Sequence, residues 1–329
     1  MNREKISFAA IPAAGVHGVG FKKLPGNLLK LSRGYIQARK VIQGFKPNVM
    51  FFTGGYVAVP VAIAGRTIRT VLYVPDIEPG MALKTLARFA DCIVLTTSAS
   101  QEYFPDHHGV QISGYPIRKD LRKWNRQEAC QILDLDFSLP VLLVLGGSSG
   151  ARSINRALLA ILPELLPHMQ VVHICGSLDW EEVSEARLQL SRNAQTSLYM
   201  GCYKVFPYLH EEIGAAFAAA DLVVSRAGAS TLGEYPLFEL PAVLVPYPYA
   251  WKYQSVNANY LADRGAAVII EDSELSSRLL PEVTRLMNDP EKRSEMRKAM
   301  HQVAQPEAAQ SIAKILLEQV EKKNGEYLQ

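Results

Sequence analysis

Two stretches place glycine and serine directly after an apolar run and just before a helical pattern. The first is Val141-Leu-Leu-Val-Leu-Gly-Gly-Ser-Ser-Gly-Ala-Arg152. A strand running straight into such a turn aims backbone N–H groups and a helix N-terminus at whatever lies above it, which suits a phosphate or pyrophosphate. Gly146 and Gly147 allow close backbone approach, and Ser148 and Ser149 add hydroxyl donors. The same residues also make an ordinary strand-to-helix loop. The second stretch is Val223-Val-Ser-Arg-Ala-Gly-Ala-Ser-Thr-Leu-Gly-Glu234. Here a strand ends at Ser225, the chain turns at Gly228, and a helix begins near Ala229. Glu234 falls one to two turns along, where a carboxylate can accept two hydrogen bonds from a ribose diol. A solvated helix glutamate fits the pattern equally. Two helix starts and a diol acceptor on strand–helix units describe a nucleoside diphosphate pocket.

Gln254, Asn257 and Asn259 follow a proline- and tyrosine-rich loop that begins at Pro246. Their amides both donate and accept, which suits sugar hydroxyls, although helix capping needs the same residue types. Arg118, after Gly114-Tyr-Pro-Ile, lies at a domain boundary where a guanidinium could reach phosphate. The histidines carry less chemistry. His107-His108 reads as a solvent-facing turn, His173 as a core or rim residue inside a strand, and His17 as a loop residue without a visible partner. No Ser-His-Asp order or metal-ligand spacing stands out, and no catalytic residue is assigned.

The elements that must position these residues alternate. Apolar runs at Val49–Phe52, Thr70–Val74, Cys92–Leu95, Val141–Leu145, Val171–Cys175, Leu222–Ser225, Ala242–Val245 and Ala267–Ile270 predict strands. Helical patterns over Ser153–Leu166, Trp180–Arg192, Glu211–Ala220, Ser230–Phe238 and Gln254–Arg264 lie between them. Continuous apolar strands separated by helices indicate α/β architecture, with a parallel sheet covered on both faces. The pattern occurs twice. It predicts a first doubly wound domain over 1–117, a linker over 118–139 with one short helix, a second domain over 140–305, and a final amphipathic helix and tail over 306–329. The first domain is expected to be N-terminally incomplete, because residues 1–20 offer only Ile6–Ile11 as strand material.

Charge is unevenly distributed along the 329 residues. The net charge is +3, yet residues 1–75 carry 11 basic and one acidic side chain, leaving a net of −7 for the rest. The basic end suits an anionic surface such as membrane. The uncharged stretch Pro47–Gly65 is broken by Gly54-Gly55 and Pro60, so it reads as strand, turn and helix rather than a membrane span. Nothing resembles a signal peptide. Nucleic-acid binding is disfavoured because no recognisable module interleaves aromatics with the basic residues. Cys92, Cys130, Cys175 and Cys202 form no CxxC pair, which argues against structural zinc or a disulfide scaffold.

Taken together, the motifs resemble the GT-B glycosyltransferases that add N-acetylglucosamine to undecaprenyl-pyrophosphoryl-muramyl-pentapeptide. The resemblance rests on Thr53-Gly-Gly-Tyr-Val, Gly114-Tyr-Pro-Ile-Arg118, Gly146-Gly-Ser-Ser-Gly-Ala-Arg-Ser-Ile-Asn155, Ala220-Asp-Leu-Val-Val-Ser-Arg-Ala-Gly-Ala229 and Gln254-Ser-Val-Asn-Ala258. It implies a GT-B fold of two Rossmann-like domains facing a cleft, with UDP-GlcNAc in the C-terminal domain and a polyprenyl-pyrophosphate-linked acceptor approaching the N-terminal one. It also implies a peripheral location on the anionic cytoplasmic face of the membrane, with no cofactor and no metal. Residue by residue, it puts Arg118 and Ser148 at the diphosphate and His210 at uracil through its backbone. Ala229, Ser230, Thr231, Leu232, Gly233 and Glu234 would wrap ribose and sugar after the Gly228 turn, Gln254 would meet GlcNAc hydroxyls, and Asp76 falls at an asparagine that touches the sugar.

Three departures from the family pattern stand out. The family opens with a Gly-Gly-Thr-Gly-Gly-His loop whose histidine is its proposed base, and nothing here matches it. Tyr73-Val-Pro-Asp76 replaces His-Glu-Gln-Asn, and Tyr253 replaces a histidine before the glutamine. The alternatives are a paralogue with another acceptor, a sugar-nucleotide epimerase of the same fold, or a non-catalytic nucleotide-sugar-binding fragment.

Overall fold

The computed structural model describes residues 6–14, 24–147, 149–249 and 253–326. They form two compact units: one takes the chain up to Gly114 together with its return from Glu307, the other Tyr115–Pro306.

The first unit is built on four parallel strands, β1 (Val49–Phe52), β2 (Arg69–Val74), β3 (Cys92–Leu95) and β4 (Val110–Ile112), paired in that order. Successive side chains on β2 point to opposite faces, as strand geometry requires. Leu72 and Val74 join Phe52, Ile93 and Leu95 under α2 (Ala58–Ala64) and α3 (Met81–Leu86). Val71 and Tyr73 pack on the other face with Cys92, Val94, Ile312 and Ile315. The last two residues belong to the final helix, Ala308–Glu326, so the chain's end covers a sheet made near its beginning.

A 22-residue helix, α1 (Leu24–Phe45), lies ahead of the sheet in a region where the sequence predicted no helix. Gly26, Gly34 and Gly44 weaken its intrinsic propensity. Tertiary burial compensates, because Leu31, Gly34, Tyr35, Ala38, Val41 and Ile42 are at least half-buried at helical spacing, while Arg33, Arg39 and Lys40 face outward. Gly34 is required where it stands: a side chain there would meet Pro12 O at 2.2 Å. Residues 6–14, including the Ile6–Ile11 run, form no strand, and Gln37 Nε2 donates to Ala10 O at 2.9 Å.

The second unit opens with α4 (Arg126–Ile132) and carries six parallel strands. These are β5 (Val141–Leu145), β6 (Gln170–Ile174), β7 (Tyr203–Phe206), β8 (Leu222–Ser225), β9 (Ala242–Leu244) and β10 (Ala267–Ile269), in the spatial order β10-β9-β8-β5-β6-β7. Helices α5 (Arg152–Leu165), α6 (Trp180–Arg192), α7 (Ala194–Ser197), α8 (Ile213–Ala219), α9 (Thr231–Leu237), α10 (Tyr253–Ala262), α11 (Leu275–Met287) and α12 (Pro290–Val303) connect or follow them, and the final helix of the chain is α13. On α5, Ile154, Leu158, Leu162 and Leu165 recur at helical spacing and bury against Leu142, Val144 and Val224 of the sheet.

Two strands went unrecognised in the sequence. β4 is only three residues long, and β7 mixes Tyr203, Val205 and Phe206 with a lysine, so neither reads as an apolar run. His107 is half-buried rather than solvent-facing: its Nε2 lies 2.9 Å from Ala90 O, and its Nδ1 accepts from Gly109 N at 3.1 Å. His173 is fully buried in β6. No helix among the described residues is long and apolar enough to cross a membrane.

Candidate functional site

In the second unit the strand order reverses direction between β5 and β8, since β6 lies on the far side of β5 and β9 on the far side of β8. Open parallel sheets leave a crevice at the carboxyl ends of strands that part in this way. A cavity of about 720 Å³ occupies that position. Its wall includes Gly146, Gly147 and Ser149 after β5 and Arg226, Gly228 and Ser230 after β8.

The loop after β5 has a backbone shape that only glycine takes readily. Gly147 and Gly150 adopt φ of +83° and +90°, which side-chain-bearing residues rarely do. A side chain on Gly146 would strike Ala151 N at 2.2 Å. Ala151, the N-cap of the 14-residue α5, has no side-chain oxygen to cap the first turn, and a helix start of this kind offers backbone N–H groups to a ligand. Ser149 lines the cavity, whereas Ser148 and His17 lie outside the described residues.

The loop after β8 is braced from beneath. Tyr235 OH donates to Ser225 Oγ at 2.6 Å, and Ser225 Oγ donates to Arg226 O at 3.0 Å. Arg226 is held by several partners. Its Nη1 donates to Asp272 Oδ1 at 2.5 Å and to Val245 O at 3.2 Å, and its Nη2 donates to Ser153 Oγ at 2.7 Å. Its guanidinium also lies 5.1 Å from the Tyr247 ring centroid, within cation–π range. Arg226 therefore ties the starts of α5 and the Tyr247 loop to the end of β8.

The expected site residues take distinct places. Ser230 and Thr231 line the cavity with Gly228, and Ala229 is half-buried beside them. Leu232 and Gly233 are buried in the body of α9, where a side chain on Gly233 would meet the Tyr115 ring at 2.9 Å. Glu234 is half-buried. Burial pushes its carboxyl pKa up, while a hydrogen bond from Ser230 and the nearby Arg118 charge pull it down. Arg118 itself is exposed and does not contribute to the cavity wall. His210 is exposed too, edge-on to Tyr208 with ring centroids 4.7 Å apart.

Gln254 lines the cavity and accepts from Tyr247 N at 2.9 Å, which leaves its amide N–H groups as donors. Asn257 departs from the expectation that it meets sugar hydroxyls. It is fully buried and its Nδ2 donates to Ala227 O at 3.2 Å, so it holds the loop behind the ligand-facing surface. Asp76 belongs to the first unit, directly after β2, where Thr96 Oγ1 donates to Pro75 O at 2.9 Å and fixes the turn.

Sequence reasoning missed Arg226, Asp272, Ser153 and Asp179 as parts of this site. Arg226 was visible inside a motif, but its partner Asp272 is 46 residues away, and nothing local signals the pairing.

The chain matches the glycosyltransferase family 28 N-terminal domain over residues 1–95 and the family 28 C-terminal domain over 141–314. A relative from Roseiflexus sp. (strain RS-1) is UDP-N-acetylglucosamine--N-acetylmuramyl-(pentapeptide) pyrophosphoryl-undecaprenol N-acetylglucosamine transferase. It is 38% identical over 94% of this chain and 78% of its own length. MurG from Acinetobacter baumannii superposes with a TM-score of 0.71 at 25% identity, covering 96% of this chain and 86% of that one. A UDP-GlcNAc 2-epimerase from Neisseria meningitidis, solved with UDP-GlcNAc bound, shares the fold at a TM-score of 0.66 and 12% identity, covering 88% and 81%. The resemblance read from the motifs is borne out, and with it the GT-B fold: the chain belongs to glycosyltransferase family 28.

Proposed function

We propose that this chain transfers N-acetylglucosamine from UDP-GlcNAc to undecaprenyl-pyrophosphoryl-muramyl-pentapeptide with inversion at the sugar carbon. The observation that carries the reading is the cavity at the β5/β8 divergence, with the uncapped N-terminus of α5 at its mouth. Backbone N–H groups at the start of α5 hold the diphosphate. They also stabilise the charge that collects on UDP as the bond from the sugar carbon to the β-phosphate oxygen breaks. Ser149 adds a hydroxyl donor to the diphosphate, and Ser230 and Thr231 add two beside the ribose. Glu234, in its ionised form, accepts from the ribose diol, and Gln254 donates to sugar hydroxyls.

The acceptor's lipid tail places the reaction at a membrane, on the cytoplasmic face where nucleotide sugars are found, with the protein bound peripherally. Support comes from the first unit, where Leu29, Ile36, Phe45 and Phe89 are exposed among Lys30, Arg33, Arg39, Lys40 and Arg88.

The test is to incubate the protein with UDP-GlcNAc, with and without the lipid-linked muramyl-pentapeptide, and to follow disaccharide formation and UDP release. Acceptor-dependent disaccharide with matching UDP supports the reading. UDP release with sugar epimerisation and no need for acceptor would establish the epimerase alternative instead.

A further inference from the structure

Beneath the loop after β5 runs a chain of buried polar groups that the donor contacts do not use. Tyr203 on β7, His173 on β6 and Asn155 on α5 are all buried to within 1% of full enclosure, and Asp179, just before α6, is 4% exposed. Asn155 Nδ2 donates to Cys175 O at 2.9 Å and to Asp179 Oδ2 at 3.0 Å, which uses both of its hydrogens on acceptors. Its Oδ1 must then accept, so His173 Nε2, 2.9 Å away, carries the hydrogen. Burial lowers the His173 pKa to about 3, so the ring is neutral and its Nδ1 is bare. Tyr203 OH therefore donates to that nitrogen at 2.8 Å. The direction of every bond in the chain is fixed from Tyr203 through His173 and Asn155 to Asp179. Asp179 Oδ1 accepts in turn from Arg152 Nε, at 3.0 Å, on the first residue of α5.

This chain meets the loop where two strand–helix turns touch. A side chain on Gly176, the residue after Cys175, would collide with Gly150 N at 2.2 Å, and one on Gly150 would collide with Cys175 O at 2.5 Å. Asn155 bonds that same Cys175 carbonyl. The turn after β6 is thus the floor on which Ser149 and Gly150 rest, and Asn155 locks the floor to α5.

We infer that Asn155 is a positioning residue for the donor diphosphate. Through Cys175 O and Asp179 it holds Ser149, Gly150 and Arg152 in the shape that meets phosphate, and His173 and Tyr203 hold Asn155 in turn. Preorganised donors are worth most when the groups behind them cannot relax. The role rests on the donor-site assignment above and concerns side chains buried beneath the cavity floor.

The consequence is selective. Loosening the loop weakens contacts to the diphosphate and leaves contacts to the nucleoside intact. UDP and uridine affinities are to be measured for the full chain and for Asn155→Ala, with thermal unfolding followed in parallel. Tyr203→Phe, which removes only the outermost hydroxyl, serves as the milder variant if Asn155→Ala fails to fold. The expected result is a UDP affinity about ten-fold lower in Asn155→Ala, and lower by about two- to three-fold in Tyr203→Phe, with uridine affinity unchanged. In turnover, kcat falls as KM for UDP-GlcNAc rises, because the same donors stabilise the charge on departing UDP. An unchanged UDP affinity, or equal losses for UDP and uridine, overturns the positioning role. Failure of the unaltered protein to bind UDP at all would instead overturn the donor-site assignment on which the role rests.

Discussion

Arg226 at the end of the fourth strand of the second unit and Asp272 just beyond its last strand meet with Nη1 and Oδ1 2.5 Å apart. Ser153 Oγ donates to the same carboxylate oxygen at 2.6 Å, so one acid organises a cation and a hydroxyl on two different loops of the cavity. Both charged side chains are largely buried, at 12% and 23% exposure, and removing the charge of one leaves the other poorly compensated. Asp272→Asn is therefore expected to destabilise the fold by roughly 1–3 kcal/mol. It should also weaken UDP binding, because Arg226 supports the Tyr247 ring. Urea unfolding and calorimetric titration check both effects, and a stable variant with intact binding would contradict the bracing role.

Glu234 offers a separation of stability from binding. Burial raises its folded pKa above the ordinary glutamate value, so the folded state holds a proton more readily than the unfolded chain. Its contribution to stability is complete below the ordinary value and is lost as pH rises through the raised one. Glu234→Gln is thus expected to unfold no earlier than the native chain at neutral pH, with any gain fading in acid. The same substitution should weaken UDP binding about ten-fold or more, since a charged acceptor for two hydroxyls is lost. In the native chain, UDP affinity should fall on acidification at a pH above the range of an exposed glutamate.

His173 gives the opposite pH signature. Its folded pKa of about 3 lies well below the ordinary value of 6.5. The neutral ring's contribution to stability is fully present above about 6.5 and is lost as pH falls from there towards 3. Denaturant midpoints measured across that window should fall with decreasing pH, and His173→Gln should flatten the decline. A native profile that is flat between pH 6 and pH 4 would contradict this account.

The first unit's basic, apolar surface predicts membrane binding that responds to charge. The protein should pellet with vesicles containing anionic lipid at low salt and be released at high salt, because screening weakens attraction between exposed charges. Lys40→Glu together with Arg39→Glu should reduce pelleting without altering UDP affinity in the other unit. Equal recovery on neutral vesicles would argue against the electrostatic part of the reading.

The sequence by itself determined the α/β class, eight of the ten strands among the described residues and the two glycine-bearing turns, because each depends on residues adjacent in the chain. Val141–Leu145 is apolar throughout as a strand buried on both faces must be, and the glycines after it mark positive backbone angles that neighbours in sequence dictate. Helix α1 was not legible, because its glycines argue against a helix and only packing in the folded unit supports one. The tertiary structure alone decided which polar residues meet. Arg226 finds Asp272 and Ser153, Asn155 finds His173 and Asp179, and Asn257 turns inward to Ala227 rather than outward to a ligand. Hydrogen bonds between residues 18 to 73 positions apart are set by strand order and register, and strand order is a property of the assembled sheet that no local spacing encodes.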